Sequence, residues 1–273
     1  MKRFFRCHAT LWMLIGFCLL LGLFLSLRTG IFFTGRNLIN ILEAYSFKLL
    51  LAIGMSFVIA SGGIDLSVGS ILSLSAIFTA LCMKQNIPVW LAILVGLLSG
   101  ILMGLINGAL IHFTGINAFI ITLGTSFLYR GLALIITRGT PVSKLPAAYR
   151  AFGGGDIFQV ESGVYMALLV LLLSIPLLYK MRWGHYITTL GGNPVALRRC
   201  GVRTGAWRIS TFAVMGFLAA LAGTAVAVLL LGTIRNGLTL MSVSSYYQQF
   251  ITGAILLCAV VTAEIRERRR RLH

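Results

Sequence analysis

Six carboxylates and four histidines are all the ordinary acid–base chemistry that this 273-residue sequence offers, and none of it is spaced for catalysis. Asp65 is the only acidic residue between Glu43 and Asp156, so no second carboxylate stands near it in sequence to share general acid–base work. His8, His112, His185 and His273 fall in no HExxH or similar pairing. The five cysteines, Cys7, Cys18, Cys82, Cys200 and Cys258, form no CxxC pair, and neither a zinc site nor a disulfide is expected. No catalytic residue, metal or bound cofactor is therefore predicted, and the chain is read as a non-enzyme. What remains is a few polar groups within or beside long apolar runs, namely Asp65, Asn117 and Arg130. Such groups suit gating and weak hydrogen bonding along a polar pathway rather than bond making.

The elements that must carry these groups are membrane helices. The sequence is 58% hydrophobic and only 11% charged, with a mean hydropathy of +0.95, whereas a soluble domain carries about 25% charged residues. A water-soluble globule is excluded. At about 20 apolar residues per crossing, eight candidate spans follow: 11–27, 38–61, 66–83, 89–112, 116–137, 163–179, 209–232 and 246–263. Glu43 and Lys48 interrupt the second, which makes it the weakest. The first is preceded by Lys2, Arg3 and Arg6 but followed by no small-residue cleavage site, and so reads as a retained helix rather than a signal peptide.

The net charge of +17 raises the question of nucleic acid, and its distribution answers it. With the N-terminus in the cytoplasm, fourteen basic residues fall inside: Lys2, Arg3 and Arg6, six in the loop from Lys180 to Arg208, and five from Arg266 to Arg271. Seven fall outside. That bias places both termini inside and makes the charge a topology signal rather than a nucleic-acid footprint. The predicted fold is an all-α polytopic bundle of about eight spans. Its membrane domain is 1–263, with a cytoplasmic loop at 180–208, followed by a basic cytoplasmic tail at 264–273.

Three segments rise above bulk hydrophobicity. Gly96, Gly100, Gly104 and Gly108 recur every four residues and form one smooth helix stripe for close packing, against a neighbour in the same chain in preference to a homodimer seam. SGGIDLSVGS (61–70) joins a double glycine to Asp65, a residue type that caps the helix following it. It reads as a cytoplasmic hairpin turn or as a break lining a pathway inside the membrane. Arg130, seven residues before Thr137, either snorkels to the outer surface or faces the bundle interior. Within the basic loop, Asn193 suits an N-cap, Pro194 the first helical position, Arg198 and Arg199 the negative helix end, and Gly201 the left-handed cap. A short helix with those boundaries, including Ala196, would present Val195 and Leu197 outward, as a docking helix for a soluble partner or as a stabiliser of the loop.

Taken together, SGGIDLSVGS (61–70), INAFIITLGTSFLYRGLALI (116–135), LGGNPVALRRCGV (190–202) and NGLTLMSVSSYYQQ (236–249) resemble the permease subunits of bacterial ATP-binding-cassette importers for ribose and related monosaccharides. The resemblance runs from about Leu38 to Val261. It implies a transmembrane subunit in the bacterial inner membrane with no catalysis of its own and ATP bound by a partner. The implied partners are two cytoplasmic ATPase subunits, a periplasmic sugar-binding protein, surrounding lipid and a second permease copy, with the 193–200 helix docking in the ATPase. One departure is marked. In the family, the segment like FLAALAG (217–223) is followed by an extracytoplasmic connection, a GYELDAIAAVVLGG-like helix and a second glycine-rich turn. Here Gly223 runs directly into Thr224, so a block is missing and two family helices are fused, which would impair transport. A scaffold that docks the ATPase without moving sugar is the alternative, ahead of an ion-coupled carrier, which would need intramembrane acids and repeats that the sequence lacks.

Overall fold

The computed structural model describes residues 32–138 and 155–240, together with scattered positions between 16 and 30 and between 140 and 149. Side chains are described as far as Ala225. The chain divides into two compact units, Met1–Leu229 and Leu230–His273. Of the second, the description covers only helical backbone at 230–240.

With no water inside a bilayer to receive them, backbone N–H and C=O groups are satisfied within the segment itself, and apolar stretches become helices. In chain order these are α1 (Gly35–Ala60), α2 (Val68–Lys84), α3 (Val89–Thr114), α4 (Ala118–Thr137), α5 (Ser162–Tyr179), α6 (Arg182–Gly192), α7 (Pro194–Arg199) and α8 (Thr204–Leu240). A two-residue hairpin, β1 (Asp156–Ile157) with β2 (Val160–Glu161), precedes α5. Its turn residues Phe158 and Gln159 both have positive φ, the pattern of a type I′ turn.

Five helices are long and apolar enough to cross a membrane: α1, α3, α4, α5 and the 204–225 part of α8. The 66–83 candidate begins two residues later than expected and, at 17 residues, is shorter than those five. The 209–232 candidate is extended at both ends into a helix of 37 residues, against about 20 for one crossing. The 11–27 candidate is described only at isolated helical positions, and 246–263 lies outside the described residues. The weakest expectation became an unbroken helix of 26 residues. Its Glu43 accepts a hydrogen bond from the Glu161 amide at 3.1 Å, beside the positive end of α5. Lys48 lies over the Tyr45 ring, 4.3 Å from its centroid.

The core is organised around α8. Two thirds of its 204–225 stretch is buried, against 17–39% of the other four long helices. Phe212, Met215 and Ala219 join α8 to Val58 of α1, Ile71 and Leu74 of α2, Met103 of α3 and Ala133 of α4. Leu221, Ala222 and Ala225 pack with Phe47 and Leu50 of α1 and Ala167 of α5. Beyond α4, Tyr149 is buried and donates to the Thr224 carbonyl. Burial pushes its phenol pKa upward, so it stays protonated as a donor.

The glycine stripe of α3 is what lets α8 approach. A Cβ on Gly104 would overlap the Phe212 carbonyl, one on Gly108 the Ile209 Cα, and one on Gly100 Ala220 and the Gly216 carbonyl. A Cβ on Gly96 would meet Thr79 and Thr224. The neighbour across the stripe is therefore within the same chain. Overlap with backbone cannot be relieved by a side-chain rotation, so Gly104→Ala is expected to lower stability by about 1–3 kcal/mol. Gly131 on α4 has nothing within 4 Å of the same position. Gly131→Ala is expected to raise stability by about 0.8–1 kcal/mol through helix propensity alone. Thermal unfolding of the detergent-purified variants checks both signs.

Candidate functional site

The break between α1 and α2 is where the polar residues of the bundle converge. Helix α1 ends in a Schellman motif. The Gly62 amide donates to the Ile59 carbonyl at 2.9 Å, and the Gly63 amide to the Val58 carbonyl at 3.0 Å, with Gly62 at φ +81°. The two glycines therefore do different things. Gly62 supplies the left-handed conformation, while Gly63 is crowded by Val58, Ala118 and Phe212. This is a fixed stop rather than the flexible double glycine expected from the sequence.

Asp65 follows, with 1% of its surface exposed. It is not the N-cap of α2; that position is Ser67. Asp65 Oδ1 instead accepts two bonds from Ser67, from the amide at 2.8 Å and the hydroxyl at 2.6 Å, closing a local turn one step before the helix. Its Oδ2 is buried with no partner among the described residues. The Ser67 hydroxyl accepts in turn from Asn107 Nδ2 at 2.7 Å. The Tyr129 hydroxyl reaches Asn107 Oδ1 at 3.2 Å and the Met103 carbonyl at 3.1 Å. One continuous polar line thus runs from the break through α3 to α4.

Thr122 on α4 ties the break from the other side. Its hydroxyl accepts from the Leu66 amide at 3.1 Å and lies 3.2 Å from the Ile64 carbonyl and 2.8 Å from the Ala118 carbonyl, either of which takes its proton. Beside this runs a cavity of about 180 Å³ lined by Ser61, Gly62, Asn117, Arg208 and Phe212 among others. Irregular backbone at membrane depth is tolerated where it faces protein or such a cavity.

The three pathway candidates are not gathered at one point. Asp65 sits inside the network. Asn117 is the N-cap of α4, its side chain accepting from the Phe119 amide at 2.9 Å, and it lines the cavity. Arg130 is exposed and hydrogen-bonds to nothing among the described residues, which corrects the expectation of an arginine held by interior carbonyls. The turn of helix that buries Tyr129 points its successor outward. Ser67, Asn107, Thr122 and Tyr129 were not singled out from the sequence. Asn107 carried a signal, being an amide deep within the 26-residue apolar run that became α3.

The short helix of the basic loop has the anticipated boundaries. Asn193 Oδ1 accepts from the Ala196 amide at 2.9 Å, Pro194 opens α7 and Cys200 closes it. Gly201 has φ +77°. Its amide donates to the Arg198 carbonyl, and the Val202 amide to the Leu197 carbonyl, a second Schellman motif. Arg198, Arg199 and Val195 are exposed. Leu197 is 6% exposed, so it anchors the helix instead of facing outward as expected. Only Val195 of the two apolar residues is available to a partner.

A family profile described as the permease component of the branched-chain amino acid transport system matches residues 37–228. The chain belongs to this family of permease components. Among curated proteins it is 30% identical to a ribose import permease protein of Haemophilus influenzae, over 84% of this chain and 85% of that one. The ribose import permease protein of Bacillus subtilis is 32% identical, over 88% and 90% respectively. A D-allose transport system permease protein of Escherichia coli is 30% identical, over 89% and 87%. No solved structure matches. The Haemophilus alignment spans 276 positions, yet 84% of 273 residues is about 229. About 47 aligned positions of that relative have no counterpart here.

The strap across the break gives a direct test. Thr122→Val keeps the shape of the side chain but leaves the Leu66 amide without its acceptor, and is expected to lower stability by about 1–3 kcal/mol. Thr122→Ser, which keeps the hydroxyl, is expected to retain most of it. Chemical denaturation in mild detergent measures the difference.

Proposed function

We propose that this chain is the transmembrane subunit of an ATP-binding-cassette importer that carries a monosaccharide of the ribose type across the bacterial inner membrane. The observation that carries the reading is the likeness to ribose and allose permease proteins along most of both chains, joined to a docking helix with every boundary in place. In this reading the exposed Val195, Arg198 and Arg199 of α7 bind a cytoplasmic ATPase, which holds the ATP. A periplasmic binding protein delivers the sugar, and a second copy of the chain completes the pathway. The membrane domain is 1–263 with a basic tail at 264–273, about eight crossings and both termini in the cytoplasm. That topology rests on the asymmetry of lysine and arginine. Asp65 and Asn117 stand beside the pathway at the break. Arg130, on the exposed face of α4, would act there only if the second copy covers it.

A second reading is favoured by the positions that have no counterpart here. We place a missing block immediately after Gly223, where two helices of the family run together. A chain without it that keeps the docking helix would be a scaffold that binds the ATPase and moves nothing.

Reconstitution in liposomes with the ATPase and binding protein separates the two readings. The expected result is ATP-dependent uptake of labelled ribose or D-allose above an ATPase-mutant control. A stable complex without uptake gives the scaffold. Arg198→Glu combined with Arg199→Glu reverses the charge of the exposed helix end, and copurification of the ATPase is expected to be lost in either case. Retention of the ATPase by this double variant would overturn the docking assignment.

A further inference from the structure

Helix α6 joins the docking helix to the bundle, and it is seated on the last turns of α1. Ile187 is fully buried among Ile53 and Phe57 of α1 and Leu218 of α8. The Trp183 ring stands edge-on to Phe57, centroids 5.2 Å apart, and its Nε1 donates to the Ser210 hydroxyl at 3.1 Å. At the end of α6 the contact becomes backbone against backbone. A Cβ on Gly191 would collide with the Ala60 carbonyl and the Gly62 amide nitrogen. A Cβ on Gly62 would stand 3.1 Å from the Gly191 Cα. Each glycine is bare where the other's backbone lies, while Gly192, one residue on, would meet nothing within 4 Å.

Two residues beyond Gly191, Asn193 caps the docking helix. Three residues beyond Gly62, Asp65 begins the buried polar line into α3 and α4. Only this backbone contact stands between the two. We propose that Gly62 and Gly191 are positioning residues for transport, the joint through which movement of the docked α7 reaches the break between α1 and α2. Packed interfaces of this kind shift between discrete arrangements rather than deforming continuously, and a methyl group in the joint would hold it apart. The inference rests on the permease reading above and adds to it the route by which the ATPase acts on the membrane break.

The test uses the full chain in complex with its ATPase and reads hydrolysis stimulated by the sugar-loaded binding protein, alongside basal hydrolysis. Gly191→Ala is expected to keep the complex and its basal rate while stimulation falls roughly tenfold, within the usual range of coupling between sites. Gly192→Ala is expected to behave as the parent. Because Gly191→Ala faces backbone and risks misfolding, a second variant inserts two glycines after Gly192. It leaves the joint untouched and slackens only its link to α7, and the same loss of stimulation is expected. Parent-like stimulation in either variant overturns the joint. A parent chain that binds no ATPase overturns the permease reading instead.

Discussion

The need to satisfy a backbone that leaves the helix in apolar surroundings governs the centre of this molecule. Seven residues, 61–67, separate α1 from α2, and an unpaired amide or carbonyl there costs several kcal/mol in hydrocarbon. The first amides fold back onto the end of α1, and the rest are met from outside the segment. Thr122 takes the Leu66 amide, Asp65 takes that of Ser67, and Asn107 secures the Ser67 hydroxyl. These partners come from α3 and α4, so both helices must be at the right depth and rotation for the break to exist. The bundle is in that sense arranged around its own interruption.

That requirement is met only because α3 and α8 pack at unusually close range. Four glycines let backbone approach backbone, which in a membrane replaces the hydrophobic drive that brings helices together in water. Phe212 of α8 then reaches both Gly63 at the break and the core shared by five helices. The cytoplasmic side uses the same means, since α6 meets the end of α1 through Gly62 and Gly191. Two Schellman motifs, at Ala60 and Arg199, mark the two ends of that connection. Left-handed glycines therefore set where α1 stops and where the docking helix stops.

How much was legible in the sequence follows from the range of the interactions involved. The boundaries of α7 were fully legible because Asn193, Pro194 and Gly201 act within one helix turn of themselves. The glycine stripe was legible as a stripe, since its period is that of the helix. Its partner required the structure, because nothing local says that α8 lies opposite. The α2 start was misread for a related reason. Asp65 has the right side chain for a cap, but its oxygen turns to Ser67 and cedes the cap position. Leu197 was misread because the short helix turns it toward the protein, an orientation fixed by tertiary contact. The 61–70 segment was recognisable as a break from its glycines alone, while the polar line through Asn107 and Tyr129 joins residues 22 and 40 apart in sequence and has no local signature.

The family relationship, the core and the departure from the relatives bear on one another along α8. The buried part of that helix, with every α8 residue of the shared cores, ends at Ala225, and the family profile ends at residue 228. All that the break and the docking helix rely on, from Thr122 and Asn107 to Phe212 and Gly191, lies within the unit that closes at Leu229. A loss that falls at the far edge of that unit spares the contacts on which its folding depends. It also explains how α8 comes to run for 37 residues, where one crossing needs about 20: with no connection left to interrupt it, the helix continues. The same reasoning separates two properties that the relatives hold together. Docking and the joint at Gly62 depend on residues before the edge, whereas a closed pathway also depends on whatever follows it, so the first survives the loss on structural grounds and the second has to be supplied by the remaining chain or by a second copy.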